Sequence, residues 1–119
     1  YDVRQYRWDT NMGIRMYELT GFQRDLLYVI EGLDRPSGQD IKDELEDYTG
    51  AFYHGRLYSN LDTVVEEGYV NKERKDPRTN YYEISEKGNN ALEERRQWEE
   101  SVSSGFFEGR LSTTPEGND

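Results

Sequence analysis

One histidine, no cysteine and 25 carboxylates bound the chemistry open to this 119-residue chain. Without cysteine there are no thiolate nucleophiles, disulfides, thiol redox switches or cysteine metal sites. His54 has no second histidine with which to share a metal, and no Gly-rich run could cradle a phosphate. Acidic pairs such as Glu66-Glu67 and Glu93-Glu94 recur. In so acidic a chain they read as solvated helix faces, not as general acid/base pairs. The expectation is a protein without catalytic residues, metal ligands or cofactor, and so not an enzyme.

Non-covalent recognition is what the polar residues support. His54, Arg56, Ser59, Asn60 and Thr63 cluster in one short stretch with Tyr58. An arginine can pair bidentately with guanine and an asparagine with adenine in the major groove of duplex DNA. Arg56, Ser59 and Asn60 are therefore candidates to read or position on bases. The plainer role for Arg56 is a phosphate or an acidic neighbour. Tyr58 fits a ring in the core with its hydroxyl on a phosphate, and His54 a phosphate contact or a solvated residue. Further on, Lys72, Arg74, Lys75 and Arg78 outnumber Glu73 and Asp76, a local reversal of sign in a chain of net charge −10. A phosphate-binding segment needs that reversal, although an exposed hairpin would also carry charge.

A second group is apolar. Leu92, Arg95, Trp98 and Val102 share one side of a helix near the C-terminus, and so small a core cannot cover them all. With Tyr6 and Trp8 of an aromatic N-terminal arm they form a candidate dimer interface. Two copies would set two recognition helices about one DNA turn apart on a palindromic site. The alternative is a monomer in which Trp98 caps its own core.

The elements that position these groups are marked by caps and periodicity. Thr20 with Gln23 is a capping-box signature. Phe22, Leu26, Val29, Ile30 and Leu33 recur at helical spacing until Gly32 and Asp34-Arg35-Pro36 end the run. Ser37 caps a second helix, with Asp40 at the positive end of its dipole. In that helix Ile41, Leu45 and Tyr48 are expected to face inward, and Thr49-Gly50 to stop it. A third helix from about His54 to Glu67 buries Leu57, Leu61, Val64 and Val65, and Gly68 suits its C′ position. The period then changes: a strand over Tyr69–Glu73, a polar turn over Lys75–Asn80, and a returning strand over Tyr81–Ile84. Ser85 caps a fourth helix, Glu86 to about Ser103. Three helices, a hairpin and a helix make an α+β, mainly α, winged helix-turn-helix fold whose third helix is the recognition helix. The expected organisation is an N-terminal arm (1–18), a winged-helix DNA-binding domain (19–85), a C-terminal dimerisation helix (86–103) and a flexible Gly/Ser/Thr/Pro tail (104–119) in which Phe106-Phe107 could dock.

The 25 acidic against 15 basic residues admit three readings: simple solubility, adaptation to molar salt, or mimicry of nucleic acid. Only Lys42, Lys72, Lys75 and Lys87 are lysines, and hydrophobic residues make up just 33%. Both facts favour molar salt, where the screening length falls to about 3 Å. No apolar run approaches the roughly 20 residues of a membrane span, and no signal peptide is evident. A cysteine-free chain of this kind is expected in the cytoplasm.

The run His54-Gly55-Arg56-Leu57-Tyr58-Ser59-Asn60-Leu61, then Glu66-Glu67-Gly68-Tyr69-Val70, resembles the recognition-helix signature of PadR-like transcriptional regulators. Tyr81-Tyr82-Glu83-Ile84-Ser85-Glu86-Lys87-Gly88 resembles the exit from their wing, and Leu19-Thr20, Gly32 and Pro36-Ser37-Gly38 resemble their opening helices. The likeness covers roughly residues 19–98 and is nearest to the short, acidic haloarchaeal members, one of which responds to reactive oxygen species. Gln39 departs from the aromatic usual at its place, and the short C-terminal part puts any large effector domain in doubt. The resemblance implies a homodimeric, halophile-adapted, sequence-specific DNA-binding regulator with a part in oxidative stress, for which only Met12 and Met16 offer oxidisable sulfur. Inorganic cations at the DNA interface are a further expected partner. The rival class is a winged-helix protein–protein interaction module that never touches DNA.

Overall fold

The computed structural model describes residues 15–104. Tyr6, Trp8, Met12 and Phe106-Phe107 lie outside the described residues. A short 3-10 turn, Met16–Glu18, leads into α1 (Gly21–Gly32), α2 (Gly38–Thr49), α3 (His54–Glu66), β1 (Val70–Asp76), β2 (Thr79–Ile84) and α4 (Glu86–Ser103). The order is that of a winged helix, mainly helical with one antiparallel hairpin.

Local signals start three of the helices. The Thr20 hydroxyl accepts from the Gln23 N–H at 3.1 Å, and the Gln23 side chain accepts from the Thr20 N–H at 3.1 Å. Ser37 and Asp40 make the same reciprocal pair at 3.1 and 3.0 Å. Ser85 accepts from the Gly88 N–H at 3.0 Å and donates to the Gly68 carbonyl at 2.6 Å, so one hydroxyl starts α4 and ties it to the end of α3. Each such cap stabilises its helix by about 1 kcal/mol. Gly68 takes φ +84, left-handed, which lets the N–H groups of Gly68 and Tyr69 reach the carbonyls of Val65 and Val64 at 3.0 Å.

The core joins Leu26, Leu27 and Ile30 of α1, Ile41 and Leu45 of α2, Leu57, Leu61 and Val64 of α3, Tyr69, Val70 and Tyr82 at the hairpin base, and Leu92 of α4. α1 touches α2, α3, β2 and α4, which is why its buried stripe widens to Leu27 while Phe22, Val29 and Leu33 are only half-buried. Three expectations are corrected. Tyr48 is 83% exposed: the stripe of Ile41 and Leu45 continues into the last turn of α2, but nothing there covers it. Leu92 is fully buried in its own protomer and has no surface to give a partner. The strands are longer than expected and leave only Pro77-Arg78 between them. Polar residues 74–76 and 79–80 resemble a turn in composition, yet a solvated hairpin pairs through its backbone whatever its side chains. A bulge between Arg74 and Asp76 and an Asp76 carboxylate accepting from the Arg78 N–H at 2.8 Å close it.

Two ties set the wing and α4 against the helices. The Tyr82 N–H donates to the Pro36 carbonyl at 2.9 Å, beside a bridge between Ser37 and Tyr81. Arg96 spans Glu31 of α1 and Glu93 of α4, each at 3.0 Å.

Candidate nucleic-acid interface

The outward side of α3 exposes His54, Arg56 and Ser59. The Arg56 guanidinium lies 4.0 Å from the centroid of the Phe22 ring. Phe22 meets Phe52 edge-on at 5.2 Å and 88°, and the Lys42 ammonium lies 5.5 Å from the Phe52 ring. The turn into α3 is held by Glu46, which accepts from the Phe52 N–H at 3.2 Å and pairs with Lys42 at 2.9 Å. The bond from Lys42, and then that from Phe52, hold the Glu46 pKa below the usual carboxylate range. Stacking restrains the planar guanidinium without using its N–H donors, so Arg56 is held ready for an acceptor.

Asn60 is placed differently. Its oxygen accepts from the Gln23 side chain at 2.9 Å, and its amide donates to the Arg56 carbonyl at 2.8 Å. Reading adenine would have to use the remaining lone pair and N–H of an amide already bonded at both ends. Ser59 and Thr63 donate back to the carbonyls of Arg56 and Ser59 at 3.4 and 3.2 Å, which leaves their oxygens able to accept. The His54 ring packs on Tyr58 with centroids 4.5 Å apart. Tyr58 is half-buried, its hydroxyl end over Gly38, where an added Cβ would meet Tyr58 Cζ at 2.7 Å. Only glycine admits that ring.

A cleft of about 470 Å³ opens between the starts of α2 and α3 and the wing, lined by Ser37, His54, Tyr58, Arg78 and Asn80 among others. It brings Arg78 to the same place as His54 and Tyr58. The other wing cations divide. Pairing sets Lys72 opposite Tyr82 and Arg74 opposite Asn80, with both cations exposed. Lys75 lies 5.1 Å from the Tyr81 ring, whose hydroxyl pushes its pKa up. Arg35, at φ +49, approaches the same ring at 5.7 Å and pairs with Glu73. Lys75 is thus engaged within the wing.

Beside α4, Met16, Tyr17, Ala91, Glu94, Arg95 and Trp98 line another groove of about 440 Å³. Trp98 is 54% and Val102 39% exposed. Arg95 lies 4.8 Å from the Trp98 ring and pairs with Glu99 at 3.0 Å. Among the described residues no cluster of His, Asp or Glu is arranged to hold a metal ion, and no helix is long and apolar enough to cross a membrane. Residue-by-residue reading of the sequence missed Phe22 and Gln23 as parts of the α3 face. Phe22 reads as core and Gln23 as a cap, and nothing in their spacing announces a contact 34 or 37 positions away.

Known proteins share this arrangement. RosR of H. salinarum, in crystals grown from NaBr, is 39% identical, with a TM-score of 0.68 over 81% of this chain and 89% of that one. The hsRosR-S1 complex gives 39% identity and a TM-score of 0.70 over 82% and 88%. Streptococcus pneumoniae FabT, solved in complex with DNA, is 14% identical with a TM-score of 0.60 over 94% and 73%, a likeness of fold. No curated protein sequence matches. The model of the Transcriptional regulator PadR-like family matches residues 26–94, from the core of α1 through α3 and the wing into α4. With the α3 face, the wing and two RosR structures in agreement, this chain belongs to the PadR-like family of transcriptional regulators.

Proposed function

We propose that the chain is a homodimeric transcription regulator that binds duplex DNA sequence-specifically in the cytoplasm of a salt-adapted cell, and that it is not an enzyme. The observation that carries this is Arg56, exposed on the leading turn of α3 and stacked on Phe22. α3 enters the major groove, Arg56 pairs with a base edge, Ser59 and Thr63 accept from or position on neighbouring groups, and Asn60 braces α3 against α1. His54, the Tyr58 hydroxyl and Arg78 hold one phosphate run at the cleft, and Lys72 and Arg74 hold another along the wing. Residues 19–85 form the DNA-binding domain. Helix 86–103 dimerises through Trp98, Val102 and Arg95, joined by Tyr6 and Trp8 of the arm (1–18), while 104–119 is a tail. With ten net negative charges on the chain, inorganic cations sit between its carboxylates and the DNA phosphates.

The test is a mobility-shift assay on genomic fragments in molar KCl, at protein concentrations that keep the dimer. Retention of a subset of fragments, lost on Arg56→Ala, is expected. Retention of none, with pull-down of another regulator instead, would identify a protein–protein interaction module.

A further inference from the structure

α1, α2 and α4 each begin on a hydroxyl side chain that accepts from the backbone N–H three positions on, and α3 does not. Its N-cap is Tyr53, whose side chain makes no capping bond and whose ring is 86% exposed, the most exposed large hydrophobic among the described residues. A serine there would satisfy an orphan N–H, so tyrosine costs helix stability at this one start. The ring gains little in return from the protomer, because the residue stays 86% exposed. It stands beside His54 and one turn from Arg56, at the start of α3, and all three residues are exposed.

We infer that Tyr53 is a specificity-determining residue whose ring packs on a thymine 5-methyl group in the major groove. This rests on the DNA-binding reading above. The choice among groove features follows from chemistry: an uncharged aromatic ring has no pull on a phosphate comparable with that of the wing cations. The thymine methyl is the apolar group that the major groove displays, and it is the one that side-chain carbon atoms read. Arg56 and Tyr53 then divide the labour, with the guanidinium on a hydrogen-bonding edge and the ring on a methyl close by.

The experiment replaces each thymine of a retained fragment in turn by deoxyuridine, which removes the methyl and leaves base pairing intact. Full-length wild type should lose about fourfold in affinity at one position per half-site, the worth of one buried methyl-sized group. Tyr53→Phe should keep that discrimination. Tyr53→Ala should bind less tightly to the thymine site and no longer distinguish the two bases. Tyr53→Ser should also lose the discrimination while gaining a cap, raising the melting temperature by about 4–8 °C. That opposite movement excludes a folding defect as the cause. Discrimination that survives in Tyr53→Ala overturns the inference, and so does a loss in Tyr53→Phe equal to that in Tyr53→Ala on every sequence, which would make the hydroxyl a phosphate contact. If wild type binds no duplex at all, the DNA-binding reading falls, and this inference with it.

Discussion

α3 and α4 each leave one helix face uncovered, and the two faces are built from opposite materials. On α3 the outward side is polar: His54, Arg56 and Ser59 are exposed, Ser59, Asn60 and Thr63 bond to the helix's own carbonyls, and the Arg56 guanidinium lies over an aromatic ring. On α4 the exposed large apolar groups are Trp98 and Val102, edged by Arg95, Glu94 and Glu99. A polyanion offers phosphates and base edges and can engage the first face. An indole set among carboxylates on α4 gains most by meeting another apolar surface. The acidic charge that burdens DNA approach would be no obstacle to the dimer proposed at α4, where a second copy would bring arginines as well as carboxylates. On the proposed function, one small chain separates its two partners by the chemistry of two helix faces on a shared core.

Each face also depends on a glycine, and the largest expected effect distinguishes the two. At Gly88 an added Cβ would overlap the Tyr69 backbone carbonyl and sit 2.8 Å from Ile84 Cδ1. A backbone atom cannot swing aside, so Gly88→Ala should exceed the about 1–3 kcal/mol typical of overpacking and undock α4. At Gly38 the obstacle is the Tyr58 ring, a side chain that can rotate out. Gly38→Ala should therefore cost less stability but weaken DNA binding by displacing Tyr58 and His54. Thermal melts beside binding isotherms check this; equal melting losses in the two variants would contradict it.

Next in size is Trp98→Glu. A carboxylate in place of a central indole should weaken the dimer at least 30-fold, the roughly 2 kcal/mol of an interface hot spot, while leaving the protomer folded because Trp98 is already half-exposed. Sedimentation equilibrium measures it. An intact dimer would place the interface elsewhere.

Arg56→Ala follows, with an expected loss of about 1–3 kcal/mol on the specific site and a flattened preference at one base position. Equal weakening on all sequences would make Arg56 a phosphate contact. Asn60→Ala gives the contrasting result. With its amide bonded between Gln23 and the Arg56 carbonyl, it should lower the melting temperature without changing base preference.

What could be read from the sequence was what is local. The boundaries of α1, α2 and α4 follow from Thr20, Ser37 and Ser85, because a capping bond spans three residues. The end of α3 follows from Gly68, because a left-handed C′ position selects glycine. The stripe that buries Leu57, Leu61 and Val64 is likewise a matter of period. What depended on tertiary geometry was not legible. The exposure of Tyr48 and the burial of Leu92 are decided by where neighbouring helices stop, which no periodicity encodes. The same holds for the stack of Arg56 on Phe22 and for Lys75 turned onto Tyr81. The residue types on the α3 face were readable; which of them are held ready and which are already bonded was not.

Lys75 gives the smallest test and the finest one. All four wing cations count equally toward net charge, but a contact with phosphate requires a side chain that is not already placed. Lys72, paired across from Tyr82, and Lys75 are both exposed, but only Lys75 of the two lies over the Tyr81 ring. Each phosphate neutralised by a protein cation releases condensed counterions and adds about 0.9 to the slope of log affinity against log salt. Lys72→Gln should therefore reduce that slope by about one, with similar weakening on every sequence, and Lys75→Gln by clearly less. The measurement must run in KCl where folding is verified separately, because a chain with ten net negative charges also loses stability as screening is withdrawn. In the same series the wild-type slope should be shallow or even inverted, since repulsion between the carboxylates and the phosphates relaxes as salt rises. A steep loss of affinity in the folded wild type would show that cation release from the wing outweighs that repulsion. Equal slopes for the two lysine variants would show that Lys75 leaves Tyr81 when DNA arrives.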